Sequence, residues 1–416
     1  MANVEIMAPA GSFESLQAAI KAGADSVYFG LEQLNMRARS ANFKFNDLKK
    51  IVETCKKKNV RSYLALNTIL YDHDMSIMKK VCDKAKKAGV NAVIVSDIAA
   101  MMYAKSIGLE VHSSTQLNIS NIEAIKFFSE FTDVVVLARE LTLKQIGDIV
   151  KQIKKDKIKG PNGKLVKIEI FCHGALCVAV AGKCYMSIAT YNAPANRGAC
   201  LQNCRRSYKV IDEETGDELV LDNKYVMSPK DLCTIGFLDK IIDAGISVLK
   251  IEGRARSPEY VYEVTKAYKE AVESVDSGTY TKKKINEWTK NLRSVYNRGF
   301  WDGGYYLGKK LGQWSGAYGS KATTEKHYVG RVINYFGKHQ VAEIILEAGV
   351  LKQSDKVLIT GPTTGVVQTK AEKILKDDKE VVKGQKKDDV TIKVPEKVRE
   401  NDKVYVIKPV VNKKAV

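Results

Sequence analysis

Short runs of apolar and β-branched residues alternate with longer amphipathic segments from residue 4 to about residue 270. Such alternation is typical of βα units, whose strands lie parallel because a helix carries the chain back across the sheet. Helices are expected over segments such as FESLQAAIKAGA, DLKKIVETCKKKN and SIMKKVCDKAKKAGV. The predicted strands are VEIMAPAG, SVYFG, VRSYLALNT, AVIVSD, LEVHSSTQ, DVVVLARE, VKIEIFCHG and SVLKIEGR. The pattern therefore predicts an α/β fold, a TIM-type (β/α)8-like barrel.

An open, doubly wound sheet is the alternative arrangement of the same elements. It is less favoured, because no G-x-G-x-x-G follows the first predicted strand. The segments AGADS, AGVNA and AGISV place a glycine where a helix ends and the next strand begins, as a left-handed C-cap requires.

Two regions break the βα pattern. Residues 174–225 are rich in Cys, Gly, Asn and Arg and predict an irregular insertion at the carboxyl-terminal face of the barrel, where the loops of such barrels build active sites. Residues 321–416 change to short alternating strands, which predict a small all-β barrel domain. The expected organisation is a barrel domain over residues 1–320 and a second domain over 321–416.

The composition points to a folded protein that meets a polyanion. Of 416 residues 45% are hydrophobic, and 67 Lys and Arg against 48 Asp and Glu give a net charge of +19. A basic surface attracts nucleic acid, although a general lysine bias would give the same sign. No apolar run is long enough to cross a membrane, and the first residues lack a secretion signal, so a cytoplasmic protein without membrane contact is expected.

Six of the eight cysteines belong to one region of the sequence. Five fall within 33 residues and one follows in the segment VMSPKDLCT, whereas Cys55 and Cys82 lie in helical segments and are expected to be buried apolar side chains. Four thiolates could hold an iron–sulfur centre or a zinc ion, and their spacing does not decide between the two metals. Reduced thiols without a metal are the third possibility. The six clustered cysteines are Cys172, Cys177, Cys184, Cys200, Cys204 and Cys233.

The segment EIFCHGALCVAVAGKCYMS, residues 169–187, resembles the signature of the U32 family, which was first described as peptidases or collagenases. That signature reads E-x-F-x-x-G-(A/S)-x-C-x4-G-x-C-x-x-S. Other segments that resemble the family are NMRARSANF, HSSTQLNISN, NRGACLQNCR, SPKDLC, LKIEGRARSPEY and YNRGF. Within the family the chain is most similar to a branch that forms 5-hydroxyuridine at the wobble position of tRNA with prephenate. Sister branches hydroxylate 23S rRNA or a ubiquinone precursor.

The resemblance implies a 4Fe-4S cluster and not zinc. The ligand pattern of the family falls on Cys177, Cys184, Cys200 and Cys233, which leaves Cys204 and Cys172 as neighbours without a bond to the cluster. The positions of Cys200 and Cys204 are the hardest to tell apart, because only three residues separate them.

The peptidase label lacks a visible mechanism. The sequence contains no H-E-x-x-H or G-x-S-x-G motif, and Ser187 has no evident partner that would make it a nucleophile. The candidates for proton transfer are His112, His173 and Glu140, at or near the ends of predicted strands.

The hydroxylase interpretation assigns roles more readily. Prephenate is a dicarboxylate, and four arginines near predicted strand ends could bind it at the barrel mouth: Arg37, Arg39, Arg139 and Arg254. Structural ion pairs with Glu32, Glu140 or Glu252 are the alternative role for these side chains. The basic face would hold tRNA, and an electron donor or accessory protein is a further expected partner. A protease and a non-catalytic, RNA-binding iron–sulfur protein are the competing hypotheses.

Overall fold

Eight parallel strands form a closed barrel in the computed structural model, which describes residues 4–219, 225, 227–301, 313–317 and 319–410. The strands of the first three hundred residues are β1 (Glu5–Pro9), β2 (Ser26–Gly30), β3 (Arg61–Leu66), β4 (Ala92–Val95), β5 (Glu110–Ser113), β6 (Val134–Val136), β7 (Lys167–Gly174), β8 (Val210–Ile211), β9 (Glu218–Leu219), β10 (Asp231–Cys233), β11 (Val248–Ile251) and β12 (Phe300–Trp301). Strands β1 to β7 pair in sequence order, and β11 closes the ring by pairing with β1 and β7. All eight predicted barrel strands are confirmed, and so is the TIM-type fold.

Helices connect the barrel strands, and further helices lie in the insertion and after β11. They are α1 (Phe13–Lys21), α2 (Leu48–Lys56), α3 (Met75–Ala88), α4 (Ile98–Ser106), α5 (Ile122–Ser129), α6 (Leu143–Lys155), α7 (Met186–Tyr191), α8 (Leu238–Asp243), α9 (Pro258–Asp276) and α10 (Lys282–Ser294). Helix α3 shows how the pattern produces them: Met78, Val81, Cys82 and Ala85 are buried at helical spacing, and Gly89 ends the helix at φ +81°. Both Cys55 and Cys82 are buried, as expected, and burial raises the pKa of each thiol to about 12.

The amino-terminal end of the barrel interior holds a polar network. Arg61 lies 2.9 Å from Glu110 and 3.7 Å from Glu5, and the Tyr63 hydroxyl donates to Glu5 at 2.6 Å. The ring of His112 lies 3.0 Å from Glu110 and packs on Tyr63. Glu5, Arg61 and Glu110 begin their strands, so this network lies at the pole that in such barrels serves stability.

The predicted insertion interrupts the barrel between β7 and β11. It contains α7, short 3₁₀ turns at Ala195–Arg197 and Asn203–Arg205, and the hairpin of β8 and β9. Strand β10 then pairs antiparallel with β7 and parallel with β12. Residues 220–224 and 226 of the predicted insertion lie outside the described residues.

An antiparallel sheet follows the barrel. Its strands and those of the adjoining ribbon are β13 (Thr324–Phe336), β14 (Val341–Leu346), β15 (Val350–Lys352), β16 (Lys356–Gly361), β17 (Gly365–Lys370), β18 (Ile374–Lys376), β19 (Lys379–Val381), β20 (Lys383–Gln385), β21 (Asp389–Lys393) and β22 (Lys403–Pro409). Eight of them form one sheet in the order β17-β16-β22-β13-β14-β21-β18-β19, and β15 pairs with β20. The predicted short alternating strands are present, and β15, β18, β19 and β20 have only three residues each, too few to show a periodicity.

The outer face of this sheet packs on the barrel. Leu358 and Val366 are buried in the same apolar cluster as the barrel core, and the Lys21 ammonium donates to the Val366 carbonyl at 2.9 Å. The other face encloses a separate core that includes Val332, Ile344 and Val404. None of the helices among the described residues has the length and apolar character needed to cross a bilayer.

Candidate active site

A cavity of about 240 Å³ opens at the carboxyl-terminal ends of the barrel strands. Its walls come from strand ends and the loops that follow them, including Asn67 after β3, Gln116 after β5 and Arg139 after β6, together with the insertion after β7. This is the end of the barrel at which enzymes with this fold carry out chemistry. The predicted position of the functional site is therefore the position of the cavity.

Four thiols line this cavity. They belong to Cys177, Cys184, Cys200 and Cys204, all from the insertion. Cys204 lies close enough to the other three for their charges to affect it: burial raises the pKa of its thiol, Arg205 lowers it, and the three cysteines raise it further. The described residues hold no group of three or more His, Cys, Asp or Glu side chains arranged for a single metal ion.

Cys233, which the resemblance implies as a cluster ligand, lies away from the cavity. It is buried at β10, within 4.0 Å of the Tyr268 hydroxyl, and does not line the cavity. Cys172 is buried beside it and affects the same tyrosine, whose pKa burial raises well above its ordinary value. Cys204, and not Cys233, lines the cavity together with Cys177, Cys184 and Cys200.

The signature residues shape this wall of the cavity. Ser187 is buried, and its hydroxyl accepts a hydrogen bond at 3.0 Å from the amide of Leu201, next to Cys200. Gly182 has φ +76°, and a Cβ there would lie 3.0 Å from the Gln116 side chain. Gly174 has φ +109°, and a Cβ would meet the Glu252 carbonyl oxygen at 2.5 Å. Ser187 is accordingly a residue that positions the cysteine loop and not a nucleophile.

Glu169, the first residue of the signature, holds a cation beneath the cavity. It is fully buried and lies 2.8 Å from the Lys250 ammonium, which lines the cavity. The ammonium also lies 5.6 Å from the centre of the Phe171 ring, another lining residue. Losing either partner of such a buried pair costs about 3–5 kcal/mol, because the other charge stays buried without compensation.

Two of the predicted arginines surround one carboxylate. Arg37 donates to Glu252 at 2.7 Å, and the Tyr28 hydroxyl donates to the same carboxylate at 3.2 Å. Burial opposes ionisation of Glu252, but Arg37 and Arg254 together with these hydrogen bonds outweigh it, and the pKa of Glu252 is lowered. The predicted alternative role of Arg37, an ion pair with Glu252, is thus present at the cavity wall.

Arg254 lines the cavity with an unsatisfied guanidinium nitrogen. The residue is 5% exposed; its Nη2 donates to the Asn35 side chain at 2.9 Å, and its buried Nη1 has no hydrogen-bond partner. Gly30 makes room for this group, since a Cβ there would lie 2.0 Å from Nη1. Burial lowers the pKa of Arg254 to about 10, still above neutrality, so the group is a cation.

Arg139 lines the cavity as predicted, and no hydrogen bond or ion pair holds it to the described part of the chain. Arg39 is exposed and does not line the cavity. It lies in the turn that follows Arg37. Three of the four predicted substrate-binding arginines therefore meet at the cavity and one does not.

Three further arginines at the cavity were not assigned a role from the sequence. Arg205 donates to the Pro229 carbonyl at 2.8 Å, Arg256 stacks on the Tyr296 ring at 3.6 Å, and Arg298 lies 3.5 Å from Asp231. The R-A-R segment after the eighth barrel strand and the C-R-R segment that begins at Cys204 are the sequence signals for two of them. Among the described residues, seven cations including Lys250 and one carboxylate, Glu252, line the cavity.

The residues predicted for proton transfer lie elsewhere. His112 belongs to the network at the amino-terminal pole of the barrel. His173 is enclosed by the rings of Tyr260, Tyr268 and Phe300, and burial lowers its pKa to about 3, so it is neutral. Glu140 is exposed in a turn. None of the three lines the cavity.

Comparison with known proteins places the chain in a family. The model of peptidase family U32 matches residues 11–316. A protein named collagenase from Porphyromonas gingivalis is 58% identical over 402 residues, which cover 96% of this chain and 97% of that protein. The tRNA hydroxylation protein P1 of Bacillus subtilis is 32% identical, with 86% of this chain and 83% of that protein covered. A 23S rRNA 5-hydroxycytidine synthase of Escherichia coli is 34% identical over 65% of this chain and 40% of its own length. With the signature residues and the barrel already in place, the chain belongs to peptidase family U32.

Proposed function

We propose that this chain is an iron–sulfur protein that hydroxylates a tRNA uridine to 5-hydroxyuridine with prephenate as co-substrate and without dioxygen. The observation that carries the proposal is the convergence of four cysteines and six arginines on one cavity at the catalytic end of the barrel. Related proteins named for tRNA and rRNA hydroxylation support the reaction class.

The donor set at the cavity suits a 4Fe-4S cluster held by Cys177, Cys184, Cys200 and Cys204. Four thiolates are the donor set of such a cluster, and all four of these thiols line the same cavity. When bound, the cluster supplies one-electron redox chemistry. The neighbouring Arg37 and Arg205 would stabilise the negative charge of the thiolates.

Prephenate would be bound by the arginines with free donor capacity. Arg254 has an unsatisfied Nη1, and Arg139 is held by no other described group. Guanidinium groups bind carboxylates through two parallel hydrogen bonds, so two such groups suit a dicarboxylate. Arg37 is instead engaged by Glu252, and its role would be to hold that carboxylate ionised beside Tyr28.

The tRNA is proposed as the macromolecular substrate because of the charge of the chain and the position of the cavity. A net charge of +19 favours a polyanion, and an anticodon loop presents its bases unstacked, so a wobble base can enter a cavity at little cost. An electron carrier or accessory protein remains part of the proposal.

A peptidase is the second candidate function, because the 58% identical relative bears the name collagenase. In the part of the lining that the structure describes there is no histidine and one carboxylate, Glu252, which is already ion-paired with Arg37. Neither a nucleophile with its base nor a pair of carboxylates is therefore present among the described lining residues. A test for this function is cleavage of gelatin by protein from which iron has been removed.

The deciding experiment is nucleoside mass spectrometry of tRNA from cells that lack the gene. Complementation with the wild-type chain should restore 5-hydroxyuridine, and Cys177→Ala should not, whereas Cys82→Ala, a change of a buried cysteine far from the cavity, should. An unchanged nucleoside profile in the deletion strain would contradict the proposed substrate. Gelatin cleavage that survives Cys177→Ala would favour the peptidase.

A further inference from the structure

The insertion that carries the four thiols also presents aromatic side chains to solvent around the cavity. Tyr185 is 74% exposed and follows Cys184 directly, and Tyr191 is 53% exposed at the end of α7. Tyr71, 50% exposed, lies where the loop after β3 meets the insertion, since the Ile69 amide donates to the Asn196 carbonyl at 3.1 Å. These three tyrosines are here called the aromatic rim.

Basic side chains contact two rings of the aromatic rim, Tyr191 and Tyr71, and the one at Tyr71, Arg197, is also ion-paired with Asp74. The Arg206 guanidinium lies 5.3 Å from the centre of the Tyr191 ring and donates to its hydroxyl at 2.7 Å. The Arg197 guanidinium lies 4.1 Å from the centre of the Tyr71 ring. Lys183 is exposed two residues before Tyr185. Rings paired with guanidinium or ammonium groups are the arrangement with which proteins bind single-stranded nucleic acid.

The charge of this segment is entirely of one sign. Residues 170–211 contain five Lys and Arg and no Asp or Glu, although the whole chain holds 48 acidic residues. A surface of this kind complements a phosphate backbone. Tyr185 in addition makes no hydrogen bond or ring contact through its side chain with the described residues. Its exposed ring packs neither in the apolar core nor in the cavity lining.

We propose that the aromatic rim is the docking site for a single-stranded RNA loop, and that nucleobases next to the target base stack on Tyr185 and Tyr191. Lys183 and Arg206 would contact the flanking phosphates. This inference rests on the proposed RNA substrate and adds the surface that recognises it. Because Tyr185 directly follows Cys184, which lines the cavity, a base next to the one stacked on Tyr185 would face the thiols and the arginines.

The test is fluorescence anisotropy of a labelled tRNA anticodon stem-loop with the full chain. Tyr185→Ala should weaken binding about 5- to 150-fold, the effect of losing one base–aromatic stack, whereas Tyr185→Phe should bind like the wild type, since stacking needs the ring and not the hydroxyl. Phe127→Ala is the matched control, because Phe127 is 54% exposed on α5, away from the insertion. A paired RNA duplex should bind more weakly than the stem-loop and should not respond to Tyr185→Ala.

Binding of the stem-loop by Tyr185→Ala and Tyr191→Ala at wild-type strength would overturn the inference, and so would an equal loss with the duplex. The proposed function fails separately. If binding depends on the rim while tRNA from the deletion strain keeps all its 5-hydroxyuridine, the rim is supported and the hydroxylation is not. If hydroxylation is lost in the deletion strain while the rim variants bind normally, the hydroxylation is supported and the rim is not.

Discussion

Replacing Arg254 by methionine tests whether the cavity is built for an anion at the expense of stability. The change keeps an unbranched side chain of similar length and removes the charge. In the folded chain Arg254 makes one hydrogen bond, to Asn35 at 2.9 Å, and buries an unsatisfied Nη1. Asn35 would not be orphaned by the substitution, because its side-chain oxygen also accepts from the Arg37 amide at 2.9 Å.

The two contributions to stability nearly offset each other. A hydrogen bond to a charged group contributes about 1.5–3 kcal/mol, and a buried unsatisfied donor costs about 1–3 kcal/mol. The free energy of unfolding of Arg254→Met should therefore stay within about 1–2 kcal/mol of the wild type in urea denaturation. Prephenate, by contrast, would lose a charge-assisted hydrogen bond worth about 1.5–3 kcal/mol, or about 10- to 150-fold in the dissociation constant measured by calorimetry.

Two further variants make this prediction sharper. Gly30→Ala should cause the same loss of prephenate affinity although Arg254 itself is kept, because the new Cβ would lie 2.0 Å from Nη1 and displace the guanidinium. Arg39→Met is the control, since that arginine is exposed and does not line the cavity. Wild-type prephenate affinity in Arg254→Met, or equal losses in Arg254→Met and Arg39→Met, would refute the reasoning.

Three other outcomes are expected. Iron content and visible absorbance of anaerobically purified protein should fall in Cys204→Ala and persist in Cys233→Ala, and the opposite result would restore the ligand set that the resemblance implies. Glu252→Gln should lower the free energy of unfolding at neutral pH, because folding lowers the pKa of this carboxyl. The stability that the ionised carboxyl contributes is present above its unfolded pKa and is lost as the pH falls through its folded pKa. The free energies of unfolding of wild type and variant should therefore converge in acid. Stem-loop affinity of the wild type should fall linearly on a plot of log K against log salt concentration, and a flat line would argue against phosphate contacts.

The barrel could be predicted because each of its strands is a short β-branched run followed by an amphipathic helix. The site could be predicted only in part. His112 lies in β5 as expected, but side chains two apart on a strand share a face, and Glu110 draws the ring toward the amino-terminal pole. Cys200 and Cys204 could not be ranked, because their positions depend on the path of irregular loops that no periodicity describes. Arg254 was identified, but its unsatisfied nitrogen is visible only once Asn35 and Gly30 are in place.

The packing of the last sheet on the first helix has a consequence for how the chain folds during synthesis. Lys21 of α1 contacts carbonyl groups 343 and 345 residues later, and Leu358 and Val366 fill part of the barrel core. At about 5–20 residues per second the ribosome needs about 20–70 s to produce these partners after α1 has emerged. One face of the nascent barrel stays exposed for that time and is open to chaperones. A chain that stopped at residue 320 would never cover it.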